Sequence, residues 1–172
     1  MDAVSRFLER RDAMLLRLDE QLLPATTPAE AAHLLCDYIG RELNLADCVV
    51  YFPAGNVLVQ VASWGSRRSA GHLLETRLQR PVDRGLPGQC ARELQAQRVQ
   101  DTRLDPRCAA DDPGSLSELA VPIRHEDVLL GILDSESPEA EFYDARYEAA
   151  FLAIADCGAR RLWQLNGHAV RR

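Results

Sequence analysis

Apolar residues recur along this chain in two rhythms, one helical and one of strand period. Near the N-terminus Leu8, Leu15, Leu18 and Leu22 fall at roughly heptad spacing, interrupted by Arg11, and this predicts a helix over residues 5–23 that Pro24 ends. Thr27 and Pro28 read as the N-cap and first helical position of a second helix. Glu30 is placed to complete a capping box, and Ala32, Leu35, Cys36 and Ile39 share one face. The rhythm then shortens. CVVYF (48–52) and NVLVQVASW (56–64), separated by Pro-Ala-Gly, predict a hairpin. Residues 65–75 read as a polar loop, and TRLQRPV (76–82) as an edge strand, where Pro81 is tolerated. Gly85 and Gly88 lead into a helix with Leu86, Cys90 and Leu94 facing inward. A long loop, VQDTRLDPRCAADDPGS, follows, and long loops within a compact domain often carry function. Two apolar runs between Ser115 and Phe142 then predict a second hairpin. The last helix is expected from about Asp144 to Leu165, with Tyr147, Phe151, Ile154, Leu162 and Leu165 on its apolar face.

Strands that come as hairpins predict an α+β fold, a mainly antiparallel central sheet with helices packed on it. At 172 residues and 47% hydrophobic composition the chain suits one domain with an ample core. The expected division is an N-terminal helix over 1–24, a domain over 25–165 and a tail over 166–172. A net charge of −6 argues against nucleic acid as a partner. No apolar run is long enough to span a membrane, and the charged N-terminus has no signal-peptide core, so a cytoplasmic location is expected. All 20 basic residues are arginine, which excludes phosphate-loop and Schiff-base lysines. Cys36, Cys48, Cys90, Cys108 and Cys157 show no Cys-x-x-Cys spacing and are expected as free thiols, with no metal.

RGLPGQCARELQAQRVQDTRLDPR, then SLSELAVPIRHEDVLLGILDSES, then a helix beginning after Phe142 form an ordered set. Together they resemble a GAF domain, a small-molecule sensor module related in fold to PAS domains, over roughly residues 25–163. The resemblance implies a ligand cavity on one face of the sheet and terminal helices on the other, commonly building a homodimer. It also brings in one enzyme of this fold, free methionine-(R)-sulfoxide reductase. That chemistry needs a thiol that becomes a sulfenic acid and a second thiol that resolves it. The places where that family carries its cysteines align here with Pro87 and Asp111, while Cys90 and Cys108 are each displaced by about three residues. No cysteine precedes a histidine as a bilin site requires, and the cyclic-nucleotide motif needs a lysine. His72 is the one histidine placed for a pocket, and no cofactor is expected.

The acids Glu118, Asp134 and Glu136 bracket the second hairpin. By strand alternation Asp134 and Glu136 continue the face of Val128, Leu130 and Ile132. A three-residue turn at 125–127 would put Glu118 opposite Asp134, whereas a two-residue turn would put Leu119 there. If the acids do meet, their repulsion calls for an arginine such as Arg103 or Arg107, a shifted carboxyl group or a cationic ligand. The reductase resemblance implies acids at these positions that grip an amino acid's ammonium. The expected ligand-binding set is Trp64, Cys90, Asp101, Cys108, Glu118, Asp134 and Glu136; Cys90 and Cys108 become catalytic only under the reductase alternative. The leading expectation is a non-enzymatic sensor that binds a small molecule and signals through its terminal helices. The alternatives are the reductase and a dimerisation module with a filled pocket.

Overall fold

A computed structural model describes residues 1–65, 79–108 and 114–169. The chain runs α1 (Ala3–Glu9), α2 (Arg11–Leu22), α3 (Pro28–Glu42), β1 (Asp47–Ala54), β2 (Val57–Gly65), β3 (Gln79–Pro81), α4 (Gly85–Glu93), β4 (Gln97–Val99), β5 (Ser117–His125), β6 (Val128–Ser137) and α5 (Ala145–Ala169). A 3-10 turn covers Pro106–Cys108. Among the described residues six strands form one sheet in the order β3-β2-β1-β6-β5-β4, and each pairing is antiparallel. This is the α+β architecture that the hairpin pattern implies. No helix among the described residues is long and apolar enough to cross a membrane.

The N-terminal helix expected over 5–23 is two helices, broken at Arg10, whose backbone leaves the helical region at φ −112° and ψ 21°. Arg11, the interruption in the apolar repeat, opens the second of them. The break lets Val4 and Phe7 turn inward alongside Met14, Leu18 and Leu22. Helix α5 also runs past Leu165 to Ala169, into the stretch expected as a tail. Thr27 caps α3 by accepting from the Glu30 N–H at 3.2 Å, while the Glu30 carboxylate reaches back one residue further than a capping box does, to the Thr26 N–H at 2.7 Å. Leu94, expected on the inner face of α4, instead caps that helix in the left-handed region at φ 53°.

The sheet separates two apolar clusters. The larger joins α1, α2, α3 and α5 to one face of the sheet. The smaller lies on the opposite face, under α4, and contains Val49, Tyr51, Leu58, Leu86, Cys90, Val99, Ala120 and Ile132. Most residues of the apolar stripes expected to build a dimer bundle pack within this chain, while Leu8, Leu15 and Leu165 are half-buried. Polar contacts fasten them: Cys157 donates to Asp19 at 2.9 Å, and Arg161 donates to the carbonyls of Leu23 and Ala25 at 2.8 Å.

Trp64 belongs to the larger cluster and not to the pocket face on which it was expected. Its ring covers Gly40 of α3, where an added Cβ would lie 2.3 Å from ring carbons. Gly40→Ala gains about 1 kcal/mol of helix propensity but forces an overpacking cost of about 1–3 kcal/mol. A net fall in thermal midpoint is expected. In a Trp64→Ala background the same Gly40→Ala change becomes stabilising, and thermal unfolding of the four proteins of this cycle checks the reversal.

Candidate functional site

The site is built by the β5–β6 hairpin. Its turn has two residues, Glu126 and Asp127, with His125 paired to Val128. Arg124 braces the turn, donating to the Glu126 carbonyl at 2.9 Å and lying 3.9 Å from the Asp127 carboxylate. By turn length alone Leu119 would face Asp134. A β-bulge overrides this: the register shifts between Ile123 and Arg124, leaving Leu130 as an extra residue on β6. Beyond the bulge Ala120 pairs with Asp134 and Glu118 with Glu136. The bulge also sends Leu130 into the helix-side cluster, so Leu129 rather than Leu130 joins Ile132, Asp134 and Glu136 on the pocket face. One inserted residue thus puts all three acids on one face, as a longer turn would have done.

Each of these acids offers a carboxylate oxygen, and the three oxygens lie within 4.8 Å of one another. The residues are deeply buried, at 7% exposure for Glu118, 0% for Asp134 and 8% for Glu136. At that spacing and an effective dielectric constant of about 20, each ionised pair repels by on the order of 3 kcal/mol. Arg80 of β3 answers part of this charge, with Nη2 4.0 Å from Glu136 Oε1 and Nε donating to the Tyr51 hydroxyl at 3.0 Å. The pairing of Arg80 with Leu58 sets it on the pocket face. The arginines named from the sequence are engaged with other carboxylates. Arg103 pairs with Asp101 at 2.7 Å, and Arg107 binds Asp105, Gln89 and Gln97.

Arg80, Gly85, Leu86, Pro87, Thr102, Arg107, Cys108, Ser115, Glu118 and Glu136 enclose a cavity of about 20 Å³, room for one or two water molecules. Glu118, Glu136 and Cys108 of the expected set therefore meet at this cavity, and Asp134 lies beside them. Asp101 does not line it. Its carboxylate is turned onto the Arg103 side chain and backbone, and the hydrogen bonds from Arg103 hold it below the usual carboxylate range. Cys90, on the inner face of α4, is sealed against the sheet, where burial and the nearby Asp134 push its thiol up. Cys108 donates to Glu118 Oε2 at 3.8 Å, and burial together with the Glu118 charge raises it to about 12. The loop histidine His72, the first part of the expected 76–82 strand, and Asp111 and Asp112 lie outside the described residues. Sequence reasoning missed Arg80, because only the β2–β3 register reveals its face. It also missed Asp47, whose Oδ1 accepts from the Glu136 N–H at 2.8 Å and so anchors β6 to β1.

The profile of the GAF domain family matches residues 25–159, most of the chain. The chain belongs to the GAF domain family. Among solved structures, this GAF domain resembles free methionine-R-sulfoxide reductase from Neisseria meningitidis in complex with its substrate, at TM-score 0.81 and 18% identity over 98% of this chain and 95% of that one. It also resembles the GAF domain of a phosphoenolpyruvate-protein phosphotransferase from Coxiella burnetii, at TM-score 0.78 and 18% identity over 92% and 95%. The corresponding Acinetobacter domain gives TM-score 0.76 and 14% identity over 91% and 95%. At these identities the likeness is one of fold, and that fold serves an enzyme as well as domains of a larger protein. Protein ZMO0507 of Zymomonas mobilis is 36% identical over 66 residues, 38% of this chain. The match spans 41% of that relative's length.

Proposed function

We propose that this GAF domain is a non-enzymatic regulatory module that binds a small molecule carrying an amino cation, with Glu118, Asp134 and Glu136 as its cationic-group site. The carrying observation is the convergence of three buried carboxylates, two of which, Glu118 and Glu136, line one cavity. Burying that much like charge is costly unless a cation answers it. Ligand chemistry of this kind agrees with the fold likeness to an enzyme that acts on free methionine sulfoxide. The thiols do not support the reductase reading. Pro87 stands at the cavity where that family was expected to carry one cysteine, and Cys90 and Cys108 are both held protonated.

A route for signalling follows from strand alternation. Between Asp134 and Glu136, Ser135 points to the helix side, where its hydroxyl bonds the Tyr143 hydroxyl and the Asp47 carbonyl. Tyr143 is fully buried, packs edge-on against Tyr147 and Phe151, and leads into α5. A shift of β6 on ligand binding would reach α5 through this contact, and from α5 the N-terminal helices packed on it.

Calorimetric titration with free L-methionine and with N-acetyl-L-methionine tests the reading. The free amino acid is expected to bind at least about tenfold more tightly, and Glu118→Gln/Glu136→Gln to remove the difference. Equal binding of the two, or binding that survives the double substitution, would overturn the amino-cation site. The small cavity favours a second reading, a GAF domain whose pocket is filled by its own side chains and which acts only through association. Binding of neither compound, with a concentration-dependent dimer in sedimentation, would support it.

A further inference from the structure

A second hollow, far roomier than the cavity at the acids, lies where the β1–β2 turn, the end of β3 and α4 meet. It holds about 550 Å³, within the ordinary range of small-molecule sites. Its shape is set by the backbone at Pro81 and Val82. The Val82 N–H donates to the Asn56 carbonyl at 3.0 Å, which ties the end of β3 to the β1–β2 turn. From the other side α4 comes close, since a Cβ added at Gly88 would lie 2.6 Å from the Val82 carbonyl oxygen. About one helical turn further on, the Arg92 guanidinium donates to that same oxygen. The lining shares no residue with the cavity at Glu118 and Glu136.

Its chemistry combines apolar contact, from Val57, Pro81 and Val82, with the charges of Arg84, Arg92 and Asp83. Among the described residues neither Arg84 nor Arg92 has a carboxylate partner. The next arginines along the chain, Arg98, Arg103 and Arg107, each pair with one. Two cations thus stand at one groove with only the Asp83 charge against them, in a chain of net charge −6. Arg92 is the better placed of the two. Its bond to the Val82 carbonyl fixes the guanidinium, and a guanidinium has five N–H donors, so most remain for a ligand.

We propose that this groove is a second ligand site, which takes a small molecule bearing a carboxylate or phosphate on an apolar body. Arg92 binds the anionic group, Arg84 supplies the second positive charge, and Val57, Pro81 and Val82 receive the body. Asp83 weakens the site for any anion and so limits its affinity. The proposal does not depend on the amino-cation reading, because the two hollows have separate linings and take groups of opposite charge.

Backbone amide shifts in a nuclear magnetic resonance titration test it, with phenylbutyrate, phenyl phosphate and the uncharged phenylbutyramide as probes. The two anions are expected to shift the amides of Asn56, Val82 and Arg92 and to bind about tenfold more tightly than the amide compound. The stronger of the two anions tells whether the site prefers carboxylate or phosphate. Arg84→Gln/Arg92→Gln is expected to remove the preference for an anion, and Asp83→Asn to tighten anion binding about two- to threefold. Arg92→Gln keeps a donor for the Val82 carbonyl. Should the double variant still not fold, Arg84→Gln alone, which breaks no hydrogen bond among the described residues, is expected to weaken the anions about two- to threefold. Equal binding of anion and amide compound, anion binding that survives loss of the arginines, or no shift at millimolar concentration would overturn the site. Shifts confined to Thr102, Glu118 and Glu136 would do so too, by placing the anion in the other cavity.

Discussion

Gly65→Ala is expected to lower the thermal unfolding midpoint by about 10 °C. Gly65 ends β2 at φ +76°, a region that side chains with a Cβ enter only at a cost. An added Cβ would also meet the Ala46 carbonyl oxygen at 2.0 Å and its carbon at 2.9 Å. Both are backbone atoms, so no side chain can swing aside. A left-handed conformation costs about 1–3 kcal/mol and overpacking adds about 1–3 kcal/mol, for a total of about 2–6 kcal/mol. Gly55 supplies the control. It has a similar φ of +64° but nothing within 4 Å of an added Cβ, so Gly55→Ala should cost only the conformational part, about 1 kcal/mol. The effect of Gly65 reaches the acids as well. Gly65 pairs with Asp47, and Asp47 holds the Glu136 N–H. On the amino-cation reading proposed above, a folded remnant of Gly65→Ala is therefore expected to lose ligand binding as well as stability. Calorimetry of the two glycine variants separates the outcomes: equal losses at both positions would show that the clash is relieved at no cost.

Cys108 is expected to react with an aromatic disulfide at pH 7 about a hundredfold more slowly than an unperturbed thiol. Raising the thiol from an ordinary value of about 8.5 to about 12 cuts its thiolate fraction by about three-thousandfold. The greater nucleophilicity of the more basic thiolate returns part of that, with a Brønsted slope of about 0.4–0.5. Burial is the first cause and the Glu118 charge the second, opposed by Arg107. Glu118→Gln should therefore accelerate the reaction, and stopped-flow kinetics on single-cysteine variants would check it. A Cys108 that reacts as fast as a free thiol, or reduction of free methionine-(R)-sulfoxide that is lost in Cys108→Ser, would sink the non-enzymatic reading. The same raised thiols make stability depend on pH. Cys157 is also raised to about 12, by burial and by Asp19. A folded state that holds its thiol protons above the unfolded value is favoured fully below about pH 8.5. That favour is lost progressively as pH rises towards 12. A falling midpoint between pH 8.5 and 11 that becomes shallower in Cys108→Ala/Cys157→Ala, with the remaining slope carried by the other raised groups such as Cys90 and Cys48, is the expected signature.

The sequence determined what depends on local pattern. The heptad-like leucines and the Thr27-Pro28 start define helices, and the alternating runs around the Pro-Ala-Gly and Glu-Asp turns define hairpins. The ordered motifs along the chain therefore led to the GAF fold. That Glu118, Asp134 and Glu136 could meet was also legible, because strand period limits them to two faces. Only the tertiary structure decided whether they do. A β-bulge at Leu130 changes the register by one residue, with Gly131 beside it as its one local sign, and a one-residue change exchanges the faces of a strand. Long-range pairing likewise brings Arg80 beside Glu136, whereas local aspartates hold Arg103 and Arg107. Trp64 went to the helix side because its partner across β1 is Cys48 and its neighbour on α3 is a glycine. Period-two patterning fixes which residues share a face, but which face meets the cavity is set by contacts between strands far apart in the chain.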